Sequence, residues 1–280
     1  MPSVLITGAS RGIGRATALR LAGAGWDVFA GMRDPAQGAA LAAEATGGRI
    51  TAVTLDITDP AQVGALPQAL PERLDAVVNN AGIVVGGPVE GVPLDELRRQ
   101  LEVNVVAQVA VTQAVLPALR ASRGRVVFLS SVSGLVATPM TGPYNASKFA
   151  LEAVADALRM EVSTWGIDVV VVEPAQTDTD LWRRAEDDFE ETLGALSQEH
   201  RALYAKHLEG FRRSIPRSQK MAGPVDAVAA TIERALTTSR PRARYVVGAG
   251  PKLQALMAKV TPTPVLDRAL RAALGIPRRP

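Results

Sequence analysis

Val4-Leu5-Ile6-Thr7-Gly8-Ala9-Ser10-Arg11-Gly12-Ile13-Gly14 is the stretch that decides the fold. It opens with a short apolar run of the kind that forms a buried strand. After the glycines, Ala16, Leu19 and Leu21 continue with helical spacing. Strand, glycine turn, helix is the context that dinucleotide recognition requires. Gly8 permits a tight turn, Gly12 lets backbone approach a pyrophosphate, and Gly14 lets helix and strand pack closely. Backbone N–H groups at the start of the helix are suited to phosphate oxygens. For any single glycine the alternative is an ordinary left-handed turn.

Outward from this stretch, strands and helices alternate. Val28–Met32, Ile50–Leu55, Leu74–Val78, Arg125–Leu129, Asp168–Val172 and Tyr245–Gly248 read as further strands. Residues 35–45, 93–119, 144–165 and 225–236 read as helices between them, and Asp59 is a candidate helix cap. This predicts an α/β chain: a doubly wound, Rossmann-type, mostly parallel sheet of seven strands with helices on both faces, in a single domain. Ligands of such sheets lie beyond the carboxyl ends of the strands. The glycine loop, Arg33, Asp56, Asn80, Ser131 and Pro174 all follow strand ends, so one rim is predicted to collect them.

The second strand ends in Met32, where dinucleotide sites commonly carry an acid for the ribose hydroxyls. Met32 cannot accept those bonds. Arg33 and Arg11 instead offer guanidinium charge suited to a 2′-phosphate, which points to NADP(H). A solvated loop arginine is the plainer alternative for Arg33.

Tyr144-Asn145-Ala146-Ser147-Lys148 places a phenol and an ammonium one helical turn apart on one face. A phenol titrates near ~10, and an adjacent fixed cation favours the phenolate. A tyrosine tuned in this way can act as general acid toward a ketone or general base toward an alcohol. Taken alone, such a pair is an ordinary pair of surface neighbours. Asn104 interrupts an apolar helical face, where a buried amide needs partners.

Composition narrows the chemistry. With no cysteine there is no disulfide, thiolate metal site or cysteine nucleophile, and two histidines cannot form the usual multi-histidine metal site, so no metal is expected. No run of about 18 apolar residues occurs and the amino terminus leads straight into a strand, so no membrane span is expected and the expected location is cytoplasmic. Residues 1–200 hold 15 Lys+Arg against 24 Asp+Glu, whereas residues 201–280 hold 16 against 4. That skew fits an oligomer face or a solvated surface, with contact to an anionic membrane as the alternative. No basic-aromatic interleaving points to nucleic acid.

Taken together, Thr7 through Gly14, Asn79-Asn80-Ala81-Gly82, Asn104, Ser131, Tyr144-x-x-x-Lys148 and Pro174 onward resemble the short-chain dehydrogenase/reductase family, in its branch of about 250 residues with an extended carboxyl end. The resemblance runs from residue 3 to about 180. It departs at Ala175, where the family usually has glycine. It implies that Tyr144 is the acid/base, that Lys148 lowers its pKa and bonds the nicotinamide ribose, that Ser131 holds the substrate oxygen, and that Asn104 keeps a water in a proton relay. It implies cofactor contacts from Gly8, Ser10, Arg11, Gly12, Ile13, Gly14, Arg33, Asp56, Ile57, Asn80, Ala81, Gly82, Tyr144, Lys148, Pro174, Thr177 and Thr179. The expected activity is NADP(H)-dependent interconversion of a ketone or aldehyde and an alcohol, with a noncatalytic NADP-binding regulatory or scaffold protein as the alternative. A homo-oligomer acting on an apolar small molecule is expected.

The expected layout is a catalytic domain over residues 1–250, a substrate-lid insertion at about 178–222, and a helical extension over 251–280. The insertion carries Leu181, Trp182, Phe189, Leu193, Leu196, Leu203, Tyr204, Leu208 and Phe211 among charges, an amphipathic pattern. Leu253, Leu256, Met257 and Val260 form a second apolar stripe, expected to help enclose the substrate, with packing on the protein's own core or on a second subunit as the alternative.

Overall fold

A computed structural model of the chain describes residues 1–276. The side chains of Leu181, Trp182, Ala185, Glu186, Asp188, Ala249, Gln254, Ala255, Ala258 and Lys259 lie outside the described residues. In chain order the main elements begin with β1 (Ser3–Thr7), α1 (Gly12–Gly23), β2 (Asp27–Met32), α2 (Ala36–Ala43) and β3 (Arg49–Thr54). They continue with α3 (Pro60–Gly64), α4 (Leu66–Ala69), β4 (Ala76–Asn79), α5 (Leu94–Leu101), α6 (Ala107–Ser122) and β5 (Arg125–Leu129). Then come α7 (Gly142–Val162), β6 (Asp168–Glu173), α8 (Asp180–Arg183), α9 (Ala185–Ala195), α10 (Gln198–Leu203) and α11 (Ala205–Lys220). The chain closes with α12 (Val225–Thr237), β7 (Arg244–Val246), α13 (Ala249–Val260) and α14 (Thr263–Ala273).

The seven strands form one sheet in the order β3-β2-β1-β4-β5-β6-β7. Every pairing is parallel, so the expected "mostly parallel" sheet is wholly so. β1 has β2 on one side and β4 on the other. The strand order reverses there, and the crevice at that reversal is where such sheets take ligands.

Side chains alternate between two cores with the period of a strand. Val4, Ile6, Val28, Ala30 and Val78 pack with Ala18 and Leu21 of α1 and Val228 and Ile232 of α12. Leu5, Phe29, Val77, Val126 and Phe128 pack on the other face with Val111, Val115 and Leu119 of α6 and Leu151 and Ala155 of α7. Phe128 is wholly buried, and burial of one such side chain contributes roughly 1.5–3 kcal/mol. A one-residue slip of any strand would exchange the two faces, so this alternation sets the register.

Two local features differ from the sequence pattern. The helix expected over 93–119 is interrupted by a wider, π-type turn at Glu102–Val106, which contains Asn104. Such turns are frequent at functional sites. The helical run Leu94–Ser122 is also long and apolar enough, by length and composition, to cross a membrane, although no such helix was expected. Ala107, Val111, Val115 and Leu119 on it belong to the second core.

Beyond β6 the insertion builds a small third core from Phe189, Leu196, Leu208 and Ile215, closed from the main body by Met140. Leu193, Tyr204 and Phe211 pack on it in part, whereas Leu203 is exposed. The expected contributions of Leu181 and Trp182 fall on side chains outside the described residues. α14 returns to this region. A Cβ on Gly210 would collide with the carbonyl oxygen of Gly275, so helix α11 and the end of α14 approach backbone to backbone.

Candidate active site

The glycine loop closes on β4 through a threonine and an asparagine. Thr7 Oγ1 accepts from the backbone N–H groups of Asn80 and Ala81, each at 3.0 Å. Asn80 Nδ2 donates to the carbonyls of Thr7 at 2.8 Å and Gly8 at 3.1 Å. Gly8 and Gly12 adopt φ of +65° and +54°, the left-handed region that glycine enters without steric cost. A Cβ on Gly14 would lie 2.5 Å from Asn80 Nδ2 and inside contact with the Gly8 carbonyl. The helix therefore starts directly against the turn, and its first residues Gly12 and Ile13 line the crevice.

The loop after β4 is held from behind by a polar stripe on the long helix. Gln100 Oε1 accepts from Val85 N at 2.6 Å, and Gln100 Nε2 donates to Ile83 O at 2.9 Å. Asn104 Oδ1 accepts from Ile83 N at 2.9 Å; its Nδ2 donates to Ile83 O at 3.0 Å and to Ser147 Oγ at 3.1 Å. Gln108 Nε2 donates to Ala81 O at 2.8 Å. All three amides are wholly buried. Asn104 is thus a positioned core amide beside α7, the helix that carries Tyr144 and Lys148. Gln100 and Gln108 were missed in the sequence, although their spacing of four residues from Asn104 was a readable signal.

β5 ends in Ser130-Ser131. Ser131 Oγ accepts from Ser133 N at 3.1 Å and donates to Pro174 O at 3.3 Å, which ties the turn after β5 to the turn after β6. On α7, Lys148 Nζ donates to Leu129 O at 2.7 Å and lies 5.7 Å from the centre of the Tyr144 ring. Burial lowers the Lys148 ammonium to about 8, opposed by the charge of Glu152. Burial also pushes the Tyr144 phenol up, opposed by the Ser131 hydroxyl. The direction is opposite to the expected lowering by the neighbouring ammonium, because burial disfavours the charged phenolate.

One cavity of about 750 Å³ joins these parts. Gly8, Ser10, Arg11, Gly12, Ile13, Arg33, Asp56, Ile57, Asn80, Ala81 and Gly82 line one end, and Asn104, Ser131, Tyr144, Lys148, Pro174, Thr177 and Thr179 line the middle. Gly14 alone of the expected cofactor residues does not line it, because it is buried beneath the loop it packs against. Arg11 and Arg33 are exposed, and among the described residues neither guanidinium makes a hydrogen bond or salt bridge, although the charge of Arg33 acts on Asp56. Asp56 sits below its ordinary carboxylate range because Thr58 donates to it from both hydroxyl (2.7 Å) and backbone (2.9 Å).

The far end of the cavity is lined by Val136, Phe189, Phe211, Ile215 and Leu274, with Thr138, Thr141, Thr192, Ser214 and Ser218 among them. The insertion therefore does face the cavity. The C-terminal stripe does not: Leu253, Leu256, Met257 and Val260 are 50–68% exposed and line no part of it. Leu274 of the last helical turn takes the place expected of them. Among the described residues no group of His, Cys, Asp and Glu could hold a metal.

Comparison with known proteins agrees with this geometry. The short chain dehydrogenase family profile matches residues 2–190. An NADPH-dependent 3-dehydrocapnine reductase of Ornithobacterium rhinotracheale is 34% identical, covering 88% of this chain and 88% of that protein. Retinol dehydrogenase 5 of Mus musculus is 35% identical, covering 98% and 89%. Among solved structures, a short-chain dehydrogenase from Streptomyces avermitilis superposes with a TM-score of 0.74 at 28% identity, covering 95% of this chain and 97% of that one. One from Burkholderia cenocepacia J2315 in complex with NADP superposes with a TM-score of 0.72 at 22% identity, covering 98% and 97%.

Proposed function

The chain belongs to the short-chain dehydrogenase/reductase family, whose members interconvert carbonyls and alcohols with NAD(P), and from that premise we propose an NADP(H)-dependent reductase of bulky, apolar ketones or aldehydes with Tyr144 as its acid/base. One observation carries the proposal: the glycine loop, the exposed Arg11 and Arg33, the Ser131-Tyr144-Lys148 group and an apolar far end all line one continuous cavity. A noncatalytic scaffold would not need that convergence, and it is not favoured.

The residues present fit the cofactor. Gly12 carries no side chain where one would stand 3.4 Å from Thr179 Cγ2, which leaves a narrow cradle between the glycine loop and the turn after β6. The N–H groups at the start of α1 take the pyrophosphate. Arg11 and Arg33 take the 2′-phosphate, since Met32 is buried and has no hydrogen-bonding group for a ribose hydroxyl. Asp56 and Ile57 border the adenine, and Asn80, Ala81 and Gly82 border its ribose. Pro174, Thr177 and Thr179 orient the nicotinamide. When bound, the nicotinamide supplies the hydride or accepts it.

The chain's own residues handle the oxygen and its proton. Ser131 and Tyr144 hydroxyls hold the carbonyl oxygen, stabilise the charge that develops on it, and Tyr144 donates its proton there. A phenol held neutral by burial is in the form that a reductase requires. Lys148, fixed by Leu129 O, keeps positive charge beside the phenol as it ionises. Phe189, Phe211, Ile215 and Leu274 exclude water and select apolar bulk. Residues 178–222 act as the lid, and 251–280 as an extension that contributes Leu274. The related reductase named as NADPH-dependent supports the cofactor assignment.

In this reading the protein works as a homo-oligomer in the cytoplasm; the location is supported by Ala107, Val111, Val115 and Leu119 of the apolar run Leu94–Ser122 lying in the core. A panel of ketones, aldehydes and alcohols with NADPH, NADH and their oxidised forms tests the assignment. Turnover of bulky apolar ketones with NADPH, well above that with NADH, is expected. Faster turnover of small polar carbonyls with NADH would overturn it.

A further inference from the structure

Behind Lys148, away from the cavity, lies a charge cluster that the reaction scheme above does not use. Glu152 follows Lys148 by four residues on α7, so it lies one turn further along the same face. Its side chain is 9% exposed. Arg244, on the edge strand β7, reaches across β6 to it, with Nε 3.0 Å from Glu152 Oε2. The same guanidinium places Nη2 2.7 Å from Asp156 Oδ2 and Nε 3.4 Å from Glu173 Oε1. Glu173 is the residue before Pro174, and its side chain is 1% exposed.

Gly134 seals this cluster. A Cβ there would stand 2.9 Å from Ser130 Oγ, 3.0 Å from Lys148 O and 3.1 Å from Glu152 Cγ. The turn that carries Ser131 can therefore lie directly on α7 at Lys148 and Glu152.

We propose that Glu152 and Arg244 are positioning residues for the reaction: Arg244 holds Glu152 ionised in the interior, and that carboxylate keeps the Lys148 ammonium charged. This rests on the role given above to Lys148. Burial pushes the Glu152 carboxyl up, opposed by the Ser130 hydroxyl and then by Arg244, with the charge of Asp156 adding a smaller upward push, and the charge of Glu152 opposes the lowering of Lys148. The charged groups facing the pair are few. They are Asp156 on α7 itself, which also accepts from Arg159 at 2.9 Å, Glu173 from β6 and Arg244 from β7. The turn after β5 contributes only the neutral Ser130 and Ser131. An isolated buried carboxylate would take up a proton, whereas one beside a guanidinium stays charged.

The test titrates the lysine directly, without cofactor or turnover. The chain has five lysines, so NMR of protein labelled at the lysine Cε resolves Lys148, assigned by its loss in Lys148→Arg. The wild-type midpoint is expected near 8. Glu152→Gln preserves shape and is expected to move it down by about one pH unit. Arg244→Gln should move it down comparably, Arg244→Lys less, and the double variant no further than Glu152→Gln alone, because Arg244 acts through Glu152. A midpoint unmoved in Glu152→Gln, with native circular dichroism, would overturn the proposal. So would additive shifts in the double variant. Should Arg244→Gln fail to fold, Glu152→Gln and Arg244→Lys still decide it. Turnover of Lys148→Ala within tenfold of wild type would remove the lysine from the chemistry, a result distinct from an unmoved midpoint.

Discussion

Replacing Gly14 by alanine probes the joint on which the cofactor site is built. The new Cβ would stand 2.5 Å from Asn80 Nδ2 and 3.0 Å from the Gly8 carbonyl carbon. The first neighbour is a side chain already committed to two hydrogen bonds, and the second is backbone. Relief requires Asn80 to leave Thr7 O and Gly8 O, or α1 to slide off the turn. Losing two hydrogen bonds at about 1 kcal/mol each and overpacking by one methyl at about 1–3 kcal/mol predict a cost of about 3–5 kcal/mol. For a chain of 280 residues that is a fall in Tm of about 5–9 °C. Gly64→Ala is the matched control. Nothing lies within 4 Å of its Cβ position at the end of α3, so it should be neutral or stabilise by about 0.4–1 kcal/mol. Thermal melts of both variants, with and without NADPH, provide the comparison. Gly14→Ala should also lose most of the NADPH-induced rise in Tm. A Gly14→Ala protein that melts within a degree of wild type and binds NADPH equally well would refute the close-packing account.

Three further outcomes follow from the site. Arg33→Ala should weaken NADP(H) binding about tenfold or more while leaving NAD(H) nearly unchanged, since a charge-assisted bond is worth about 1.5–3 kcal/mol; equal losses measured by fluorescence titration would count against it. Phe189→Ala should lower kcat/KM for a bulky apolar ketone far more than for a small one, because Phe189 lines the far end and packs on Phe211 at 5.6 Å between ring centres; equal falls would make the insertion merely structural. Lys148→Met should raise stability at neutral pH, with a gain that shrinks as pH rises past about 8. The folded state holds that proton less tightly than the unfolded chain, whose lysine titrates near its ordinary 10.5, so wild-type stability rises with pH between those values; denaturant melts across that range that show no such convergence would contradict it.

The strands were legible because each buried face repeats with period two and each end carries a small or polar residue. Arg125–Leu129 was delimited to the residue, and Leu74–Val78 was displaced by its apolar lead-in, since the ladder begins at Ala76. The site was legible where its residues cluster in the chain: the glycine loop, Asn80 to Gly82, and Tyr144 with Lys148. It was not legible where pairing is distant. Arg244 meets Glu152 across 92 positions, and only the packing of β7 against β6 brings them together. The direction of the Tyr144 shift was missed for a related reason: spacing on a helix reveals a neighbouring ammonium but not how much water is excluded. The stripe from Leu253 to Val260 shows the limit of amphipathic pattern. It correctly marks an apolar face on α13, and it contains nothing to say whether that face turns toward the cavity.

The most direct test of the reductase assignment follows the hydrogen itself. NADPH deuterated at the reactive face of its nicotinamide is incubated with a bulky apolar ketone and the protein, and the product alcohol is analysed by mass spectrometry. The account predicts deuterium on the former carbonyl carbon with wild type, and product reduced by at least about a hundredfold with Tyr144→Phe while NADPH still binds. Tight NADPH binding with no deuterium transferred to any ketone, or undiminished transfer by Tyr144→Phe, would contradict it.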